Sequence, residues 1–467
     1  MIQAGYLLPH PPIIIPEVGG DRAYDAQDTI KAMEEVASQI KDLEPETIIV
    51  ITPHGPSFTD AMALYSDPSL KGHLGAFNHP ELTLEKENDE ELLDELIFTC
   101  FEKNIPVTRI DDSLVQRFSL SRDLDHGVQV PLYFIDQVYR DYKVVCISYG
   151  FLSSDELYRL GMVIKESITQ VGRKAVVIAS GDLSHRLKDD GPYTFHPDGD
   201  KFDRQILSLL QEGRFEEVIE MNEGLCKNAG ECGKRSIDVL LGTLDGYQVD
   251  IRQHSYEGPF GVGYGVVGFT NPQADANQVR LHRIQEMKVK RLQDQRAQED
   301  LYVQLARRAI EAFVKDQKKI EVPDLGPDDL RTQRAGTFVS IKTGGGLRGC
   351  MGTISGTEIN LGEEIIANAI KAATGDPRFP EIEEDELDDL TITVDVLGDP
   401  EPVGAMDQLD PQNYGVIVTK DYRRGLLLPD LDGIDTAYEQ VTIALNKAGI
   451  EENEDYTIER FKVVRHY

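Results

Sequence analysis

The stretch "VVIASGDLSHRL" (176–187) joins a run of apolar residues to a group of polar ones. A continuous run of Val, Ile and Ala is typical of a strand covered on both faces, as in parallel sheets. The segments "ETIIVIT" (46–52) and "YKVVCISYG" (142–150) have the same character. Three such strands predict the sheet of an α/β domain.

Amphipathic segments lie between and around these strands. The spacing of their apolar residues, with charged residues on the opposite face, predicts helices over 26–43, 89–103 and 154–171. We therefore expect an α/β fold with a mixed central sheet in the first half of the chain, up to "GVGYGVVGFTNP" (261–272).

The character of the sequence changes after residue 272, where a charged stretch without Gly or Pro begins. We predict a first domain at 1–272, a helical connector at 273–297 and a second domain at 298–467. A coiled-coil arm is the alternative for the connector, but no heptads are sustained there. The second half combines a hairpin at 335–354, helices over 361–373 and 434–448, and alternating strands, which predicts an α+β domain.

Composition excludes several classes of function. The chain of 467 residues has 48 Lys and Arg against 82 Asp and Glu, a formal net charge of −34, which argues against binding to nucleic acid or to an anionic membrane. Apolar runs are strand-length and no secretory segment is visible, so we expect a cytoplasmic protein without a membrane span. The five cysteines have no CxxC spacing, which argues against a zinc ribbon.

Three apolar strands are followed closely by a histidine. In "LLPHPP" (7–12) His10 precedes two prolines, in "TPHGP" (52–56) His54 lies between prolines, and His185 follows the strand at 176–180. Proline cannot donate to a β-ladder, so the first two strands should end at these positions. Strand ends can meet at one edge of a sheet, where α/β proteins bind ligands, and convergence of these imidazoles is therefore predicted.

Converging imidazoles suit a first-row transition metal, and one added carboxylate leaves coordination positions open for substrate and oxygen. Glu231 in "AGECGKRS" is the preferred third ligand, and Glu257 is a second carboxylate candidate. Cys232 is the alternative ligand, and its soft thiolate would favour copper or zinc over iron. His126, beside Asp125, is a candidate for moving protons or binding a polar group of the substrate.

The ordered motifs "LLPHPP", "TPHGP", "DHG", "SGDLSH" and "ECGKRSIDVLLG" resemble those of the LigB-type catalytic subunit of class III extradiol dioxygenases and of the related Memo proteins. The resemblance covers residues 1–270. It implies an Fe(II) ion held by His10, His54 and Glu231, with His185 as the catalytic acid/base and His126 near the substrate. The implied reaction is cleavage of a catecholic or phenolic small molecule by O₂.

Memo proteins have a cysteine in the CG motif, which matches Cys232 here, and their resemblance keeps two other functions open. One is a metal-binding accessory or scaffold protein that holds iron or copper without dioxygenase activity. The other is a metal-assisted hydrolase, because a metal with open positions also activates water. Dimerisation is common for such folds, and a homo-oligomer is therefore compatible with this sequence.

A second candidate site lies in "GGGLRGCMGTI" (344–354), where Cys350 follows Arg348 by two residues. A neighbouring cation lowers the pKa of a thiol, which predicts a reactive cysteine. The alternative is a small buried residue in a tightly packed strand.

Together with "GDPRFPEI" (375–382) and "YGVIVTKDYRRGLLLPDL" (414–431), this segment resembles the AMMECR domain, over residues 298–467. The resemblance implies a groove around Arg348 and Cys350, with Asp376 and Arg378 nearby. The fusion of both halves resembles the bacterial proteins of AmmeMemoRadiSam systems, which implies a radical S-adenosylmethionine enzyme as partner.

Overall fold

The computed structural model describes residues 1–324, 326–431, 434 and 436–467, and the chain divides into two compact units, Met1–Val289 and Lys290–Tyr467. The strands are β1 Ile2–Leu8, β2 Thr47–Thr52, β3 Met62–Tyr65, β4 Ser69–Leu74, β5 His79–Glu87, β6 Val107–Ile110, β7 Lys143–Ser148, β8 Ala175–Ser180, β9 Tyr247–Glu257, β10 Tyr264–Ala274, β11 Thr337–Thr343, β12 Gly346–Gly352, β13 Leu390–Leu397, β14 Glu401–Pro402, β15 Gly415–Lys420, β16 Arg423–Leu427, β17 Thr457–Phe461 and β18 Val463–His466. The helices are α1 Pro16–Gly19, α2 Gln27–Leu43, α3 Glu90–Glu102, α4 Asp112–Phe118, α5 His126–Asp136, α6 Ser154–Val171, α7 Asp198–Gln211, α8 Phe215–Ile219, α9 Glu223–Ala229, α10 Lys234–Thr243, α11 Leu281–Gln298, α12 Leu301–Asp316, α13 Asp329–Thr332, α14 Leu361–Thr374 and α15 Ala437–Ala448.

The first unit is built on an eight-stranded sheet with the order β6-β3-β7-β2-β8-β1-β10-β9. Strands β7, β2, β8 and β1 are parallel neighbours, whereas β10 and β9 are antiparallel at one edge. At the other edge, β3 is antiparallel to β7 and parallel to β6. The predicted α/β fold with a mixed central sheet is therefore confirmed.

Side chains alternate between two hydrophobic cores, one on each face of this sheet. On β2, Ile49 and Ile51 belong to the core that includes residues of α3, α6, α7 and α10, whereas Ile48 and Val50 belong to the core that includes α2 and α5. All residues of β2 are buried, because helices cover both faces. This burial explains the continuous apolar run in the sequence.

The parallel arrangement brings the carboxyl ends of three strands to the same edge of the sheet. Leu8 at the end of β1 pairs with Ser180 at the end of β8, and Ile51 near the end of β2 pairs with Ala179. The segments that follow these strands carry His10, His54 and His185.

The predicted connector at 273–297 contains the last residues of β10, a 3₁₀ turn at Ala276–Gln278 and most of α11. The division between the two units falls within α11, after Val289.

The second unit contains two four-stranded sheets, β12-β11-β13-β18 and β14-β17-β15-β16. Their pairings are antiparallel. Residues of α12 and α14 form a core with the first sheet, and residues of α15 form a core with the second. The predicted α+β domain is confirmed. The helix predicted over 434–448 begins at Ala437, and residue 435 lies outside the described residues.

Within the part of the chain that the structure describes, no helix combines the length and apolar character needed to cross a membrane.

Candidate metal centre

Three side chains from separate segments converge at the sheet edge. His10, His54 and Cys232 each place one ligand atom within 4.8 Å of the others. The Nε2 atoms of the two histidines are 2.9 Å apart, and the sulfur of Cys232 lies 3.6 Å from Nε2 of His10. One ion could contact both nitrogens at the usual bond length of about 2.0–2.1 Å.

A hydrogen-bond chain determines which nitrogen of His10 faces this cluster. The hydroxyl of Ser180 donates to the carbonyl oxygen of Gly127 (2.5 Å), and its oxygen lies 2.9 Å from Nδ1 of His10. A hydroxyl has one proton, so Nδ1 carries a hydrogen and donates it to Ser180. The lone pair of Nε2 is therefore free to bind a metal.

The imidazoles of the centre are held in the neutral form. Burial lowers the pKa of His10 well below its ordinary value, and His54, His126 and His185 lower it further. Burial, together with the proximity of His54, lowers the pKa of His126 to about 3 and that of His185 to about 4. Desolvation lowers the pKa of His54, and Asp125 partly opposes this shift. Neutral imidazole is the form that binds metal ions.

Two glycines allow the segment of Cys232 to approach the end of β8. A Cβ atom on Gly181 would lie 2.2 Å from the Cα of Gly233, so no larger side chain fits at this contact. The backbone N–H of Asp182 donates to the sulfur of Cys232 (3.3 Å). Burial raises the pKa of the Cys232 thiol, and this hydrogen bond acts in the opposite direction by favouring the thiolate.

The two carboxylates predicted as ligand candidates have other partners. Oε2 of Glu231 accepts the backbone N–H of Lys234 at the start of α10 (2.6 Å), and Oε1 of Glu257 accepts both the N–H and the hydroxyl of Thr29. Neither is among the clustered ligand atoms of the described residues. The structure thus brings Cys232, the alternative third ligand, to the histidines in place of Glu231, because the Glu231 side chain turns toward the helix.

His126 and His185 lie beside the cluster. His126 stacks on His54 with ring centroids 4.2 Å apart, and its other neighbours include Phe77 at 5.2 Å. The ring of His185 stacks on Tyr193, which is 52% exposed, with centroids 5.1 Å apart. The two imidazoles therefore each have an aromatic neighbour supplied by another segment.

Asp125 supports the loop of His126 without bonding to its ring. Its Oδ1 accepts the N–H of Gly127 (2.8 Å) and the hydroxyl of Thr52 (2.6 Å), while Oδ2 accepts the hydroxyl of Tyr65 (3.2 Å). The carboxylate thereby caps α5 and ties it to the end of β2.

Ser180, Phe77 and Tyr193 were not predicted as site residues from the sequence. The sequence could have indicated Ser180 as a site residue, because it is the last residue of β8 and the predicted site residue His185 follows soon after it. Phe77 and Tyr193 lie in connecting segments whose sequence gives no indication of which strand end they approach.

Arg348 and Cys350, predicted as a second site, both lie on β12 but have different partners. Arg348 binds the carboxylate of Glu386 (2.7 and 2.8 Å) and the backbone carbonyls of residues 380–381. The thiol of Cys350 instead accepts a hydrogen bond from the hydroxyl of Ser340 (3.3 Å).

One protein-family model matches the first unit of the chain. The model described as the catalytic LigB subunit of aromatic ring-opening dioxygenase matches residues 4–267. The chain belongs to the LigB family. The AMMECR1 model matches residues 303–466, so this LigB-family chain carries an AMMECR1 domain after its LigB domain.

Two relatives match this chain over very different lengths. Over 462 residues the LigB-family chain is 43% identical to protein CA_C1420 of Clostridium acetobutylicum, covering 99% of this chain and 98% of that protein. A protein of Thermotoga maritima is 53% identical over 167 residues, which is 35% of this chain and 96% of that protein.

Two solved structures are also similar. The uncharacterized protein PH0010 from Pyrococcus horikoshii is 32% identical, with a TM-score of 0.34, over 36% of this chain and 89% of that one. The uncharacterized protein JW3007 from Escherichia coli K12 is 16% identical, with a TM-score of 0.41, over 57% of this LigB-family chain and 99% of that one.

Proposed function

We propose that the LigB unit is a metal-dependent oxidoreductase of the extradiol dioxygenase type, acting with O₂ on a catecholic or phenolic small molecule. The observation that carries this proposal is the convergence of His10, His54 and Cys232 at the sheet edge, with two further neutral imidazoles beside them. These three residues would hold a first-row metal. When bound, the metal would supply open coordination positions for substrate and oxygen.

His185 would accept and return a proton, and His126 would position the substrate. Because the pKa of His185 is lowered to about 4, it is neutral at pH 7 and can accept a proton from a substrate hydroxyl. The same nitrogen can later return that proton to an oxygen of the product. His126, held between His54 and Phe77, would accept a hydrogen bond from a second polar group of the substrate.

A second candidate function rests on Cys232 alone. Thiolate ligands favour copper or zinc, whereas non-haem iron oxygenases use two histidines and one carboxylate. The sulfur within 3.6 Å of Nε2 of His10 therefore supports a metal-holding accessory protein, carrying copper or iron, without dioxygenase activity.

Metal content measured by elemental mass spectrometry tests the ligand set. Protein is purified without oxygen as wild type, His54→Ala, Cys232→Ser and Glu231→Gln. We expect near-stoichiometric metal in the wild type, its loss in His54→Ala and a strong reduction in Cys232→Ser. Glu231→Gln is the matched control, because the new amide oxygen can still accept the N–H of Lys234, and it should retain the metal.

Oxygen uptake with a panel of catechols separates the two functions. Bound iron with substrate-dependent uptake, reduced at least tenfold in His185→Gln, supports the dioxygenase, since general acid–base catalysis contributes about 10²–10⁴-fold. Bound copper or iron without uptake favours the accessory protein. A wild type that takes up no metal under any reconstitution overturns both.

A further inference from the structure

The four imidazoles in and beside the candidate metal centre differ in how their rings are oriented. The ring of His10 bonds to Ser180, and Nε2 of His54 lies 2.9 Å from Nε2 of His10. The ring of His126 stacks on that of His54. Among the described residues, no hydrogen bond reaches a ring nitrogen of His185. The orientation of this fourth ring therefore depends on another kind of contact.

The ring of His185 needs such a contact because its own torsion angle does not fix it. The torsion that turns a flat ring about the bond to Cβ has broad, shallow preferences. A base accepts a proton in the plane of its ring, at the lone pair of one nitrogen. Neighbouring atoms must therefore hold the plane of the His185 ring before its nitrogen can point steadily at a reacting group.

Backbone hydrogen bonds place His185 beside the segment that carries Cys232. The N–H of Cys232 donates to the carbonyl oxygen of Asp182 (3.3 Å), and the N–H of His185 donates to the carbonyl oxygen of Ala229 (3.1 Å). The two segments thus run side by side at the end of β8. These bonds fix the backbone of His185 but leave its side-chain torsions free.

The loop formed by residues 187–195 follows His185 and is held at both ends. The N–H of Leu187 donates to the carbonyl oxygen of Gly261 (3.0 Å). The N–H of His196 donates to the carbonyl oxygen of Arg186 (3.0 Å), so the chain returns to its starting point. The loop therefore has a fixed place beside the end of β8.

Tyr193 lies in this loop and places the face of its ring on the face of the His185 ring. The ring centroids are 5.1 Å apart, and the angle between the planes is 23°. Tyr193 is 52% exposed, and within the described part of the chain its hydroxyl has no hydrogen-bond partner. The stacked face is therefore the contact through which this exposed aromatic side chain is held.

We propose that Tyr193 is a positioning residue for His185, and that the loop 187–195 thereby holds the plane in which this imidazole exchanges protons with the substrate. The inference rests on the proposed function, in which His185 accepts a proton from a substrate hydroxyl. Stacking restricts rotation of the imidazole and shields one of its faces from water. It leaves the nitrogens uncovered, because they lie at the edge of the ring.

NMR spectroscopy of the metal-free, full-length protein tests the ring contact without any reaction. Histidine is isotope-labelled in the wild type, Tyr193→Phe and Tyr193→Leu, and the signals that disappear in His185→Gln are those of His185. An aromatic ring stacked on an imidazole shifts the ring-proton signals of that imidazole upfield. We expect this shift in the wild type and in Tyr193→Phe, and its loss in Tyr193→Leu.

Phe195→Leu is the matched control for the NMR experiment. Phe195 is a second exposed aromatic residue of the loop, at 44% exposure, and no ring contact joins it to His185 among the described residues. This variant should keep the upfield shift. Wild-type His185 signals equal to those of the denatured protein, or signals that do not move in Tyr193→Leu, overturn the proposal.

Steady-state kinetics of the metal-loaded protein test the positioning role. Tyr193→Leu should lower kcat about twofold to tenfold, as expected for the loss of one stacked aromatic pair, with KM and metal content unchanged. Tyr193→Phe should restore kcat. An unchanged kcat in Tyr193→Leu overturns the positioning role. A wild type that turns over no catechol refutes the proposed function instead, and the NMR comparison then still decides whether Tyr193 orients His185.

Discussion

Ser180 selects the nitrogen that His10 presents to the candidate metal centre, through the bond between its oxygen and Nδ1. Ser180→Ala removes the acceptor for the Nδ1 hydrogen, so the ring can adopt the other tautomer or rotate. We expect metal affinity to fall about 10–100-fold, the usual effect of losing such a supporting contact. Competition with a chromogenic chelator measures this change.

Ser148 provides a control for that experiment. It is the last residue of β7, as Ser180 is of β8, and its buried hydroxyl has no hydrogen-bond partner among the described residues. Ser148→Ala should therefore leave metal affinity unchanged. Equal affinities in all three proteins would contradict the role given to Ser180.

The buried carboxyl group of Asp203 should make the stability of the folded protein depend on pH. Burial raises the pKa of its carboxyl group to about 7, although its oxygens accept the N–H of Ser184 and the hydroxyl of Tyr256. The folded protein binds this proton more tightly than the unfolded chain does. The contribution of Asp203 to stability is therefore complete below about pH 4 and is lost as the pH rises to about 7.

Melting temperatures measured between pH 4 and pH 8 test this assignment. Asp203→Asn keeps an acceptor for the N–H of Ser184 but cannot ionise. Between pH 4 and pH 8 the free energy of unfolding of this variant should therefore fall less than that of the wild type. The difference should be about 1.4 kcal/mol for each unit of the pKa shift of Asp203. Parallel pH profiles for the two proteins would show that Asp203 is ionised in the folded state.

The sequence located both histidines of the cluster, but it favoured Glu231 as the third ligand and gave Cys232 only as the alternative. Glu231 and Cys232 are neighbours in one turn before α10. Which of the two faces the histidines depends on the backbone conformation of that turn and on its contact with Gly181, and neither follows from residue type. Arg348 illustrates the same limit, because it is the extra residue of a bulge in β12, where Gly349 pairs with Ile341 and Leu347 with Lys342, and this bulge has no sequence signature.

Close contact between two helices determines the position of α10, whose start follows Cys232. A Cβ atom on Gly161 of α6 would lie 2.0 Å from the carbonyl oxygen of Val239 on α10. Gly161→Ala must therefore push the helices apart, and we expect a loss of about 1–3 kcal/mol in the free energy of unfolding. Urea denaturation followed by circular dichroism measures it.

Thr169→Ala is the comparison for this substitution, because Thr169 is exposed on the same helix. Its effect should stay within about 0.5 kcal/mol. If both variants were equally stable, the helices would have room to separate without loss of packing.

Elements with strong periodicity and clear ends were predicted well. Helix α6 covers Ser154–Val171, the range expected from the sequence, and it has a capping box at Ser153 and Glu156 and a left-handed Gly172 at its end. The hairpin of β4 and β5 was not predicted. It is short and exposes alternate residues of β4, so its apolar signal is weak.

For the whole molecule, the separation of the hydrophobic cores predicts two unfolding transitions. Two of the core clusters consist of residues before Val289, and the other three consist of residues after Lys290. Calorimetry should therefore resolve two transitions. Adding the metal at 100 times its dissociation constant should stabilise only the unit with the metal centre, by about 2.7 kcal/mol.

Alkylation of unit-specific cysteines during heating assigns each transition. Cys100 reports on the first unit and Cys350 on the second. One cooperative transition, or an equal metal-induced shift in both, would mean that the two units unfold as one.

The candidate ligands all lie outside the strands, in three separate segments that follow β1, follow β2 and precede α10. Replacing one of these segments leaves the backbone hydrogen bonds of the sheet intact. Evolution can therefore exchange a thiolate for a carboxylate by a small local change, without a new fold. Proteins built on this scaffold can therefore differ in the metal they select and in their redox chemistry. Because each ligand-bearing segment can be changed without disturbing the sheet, each is also a separate target for engineering.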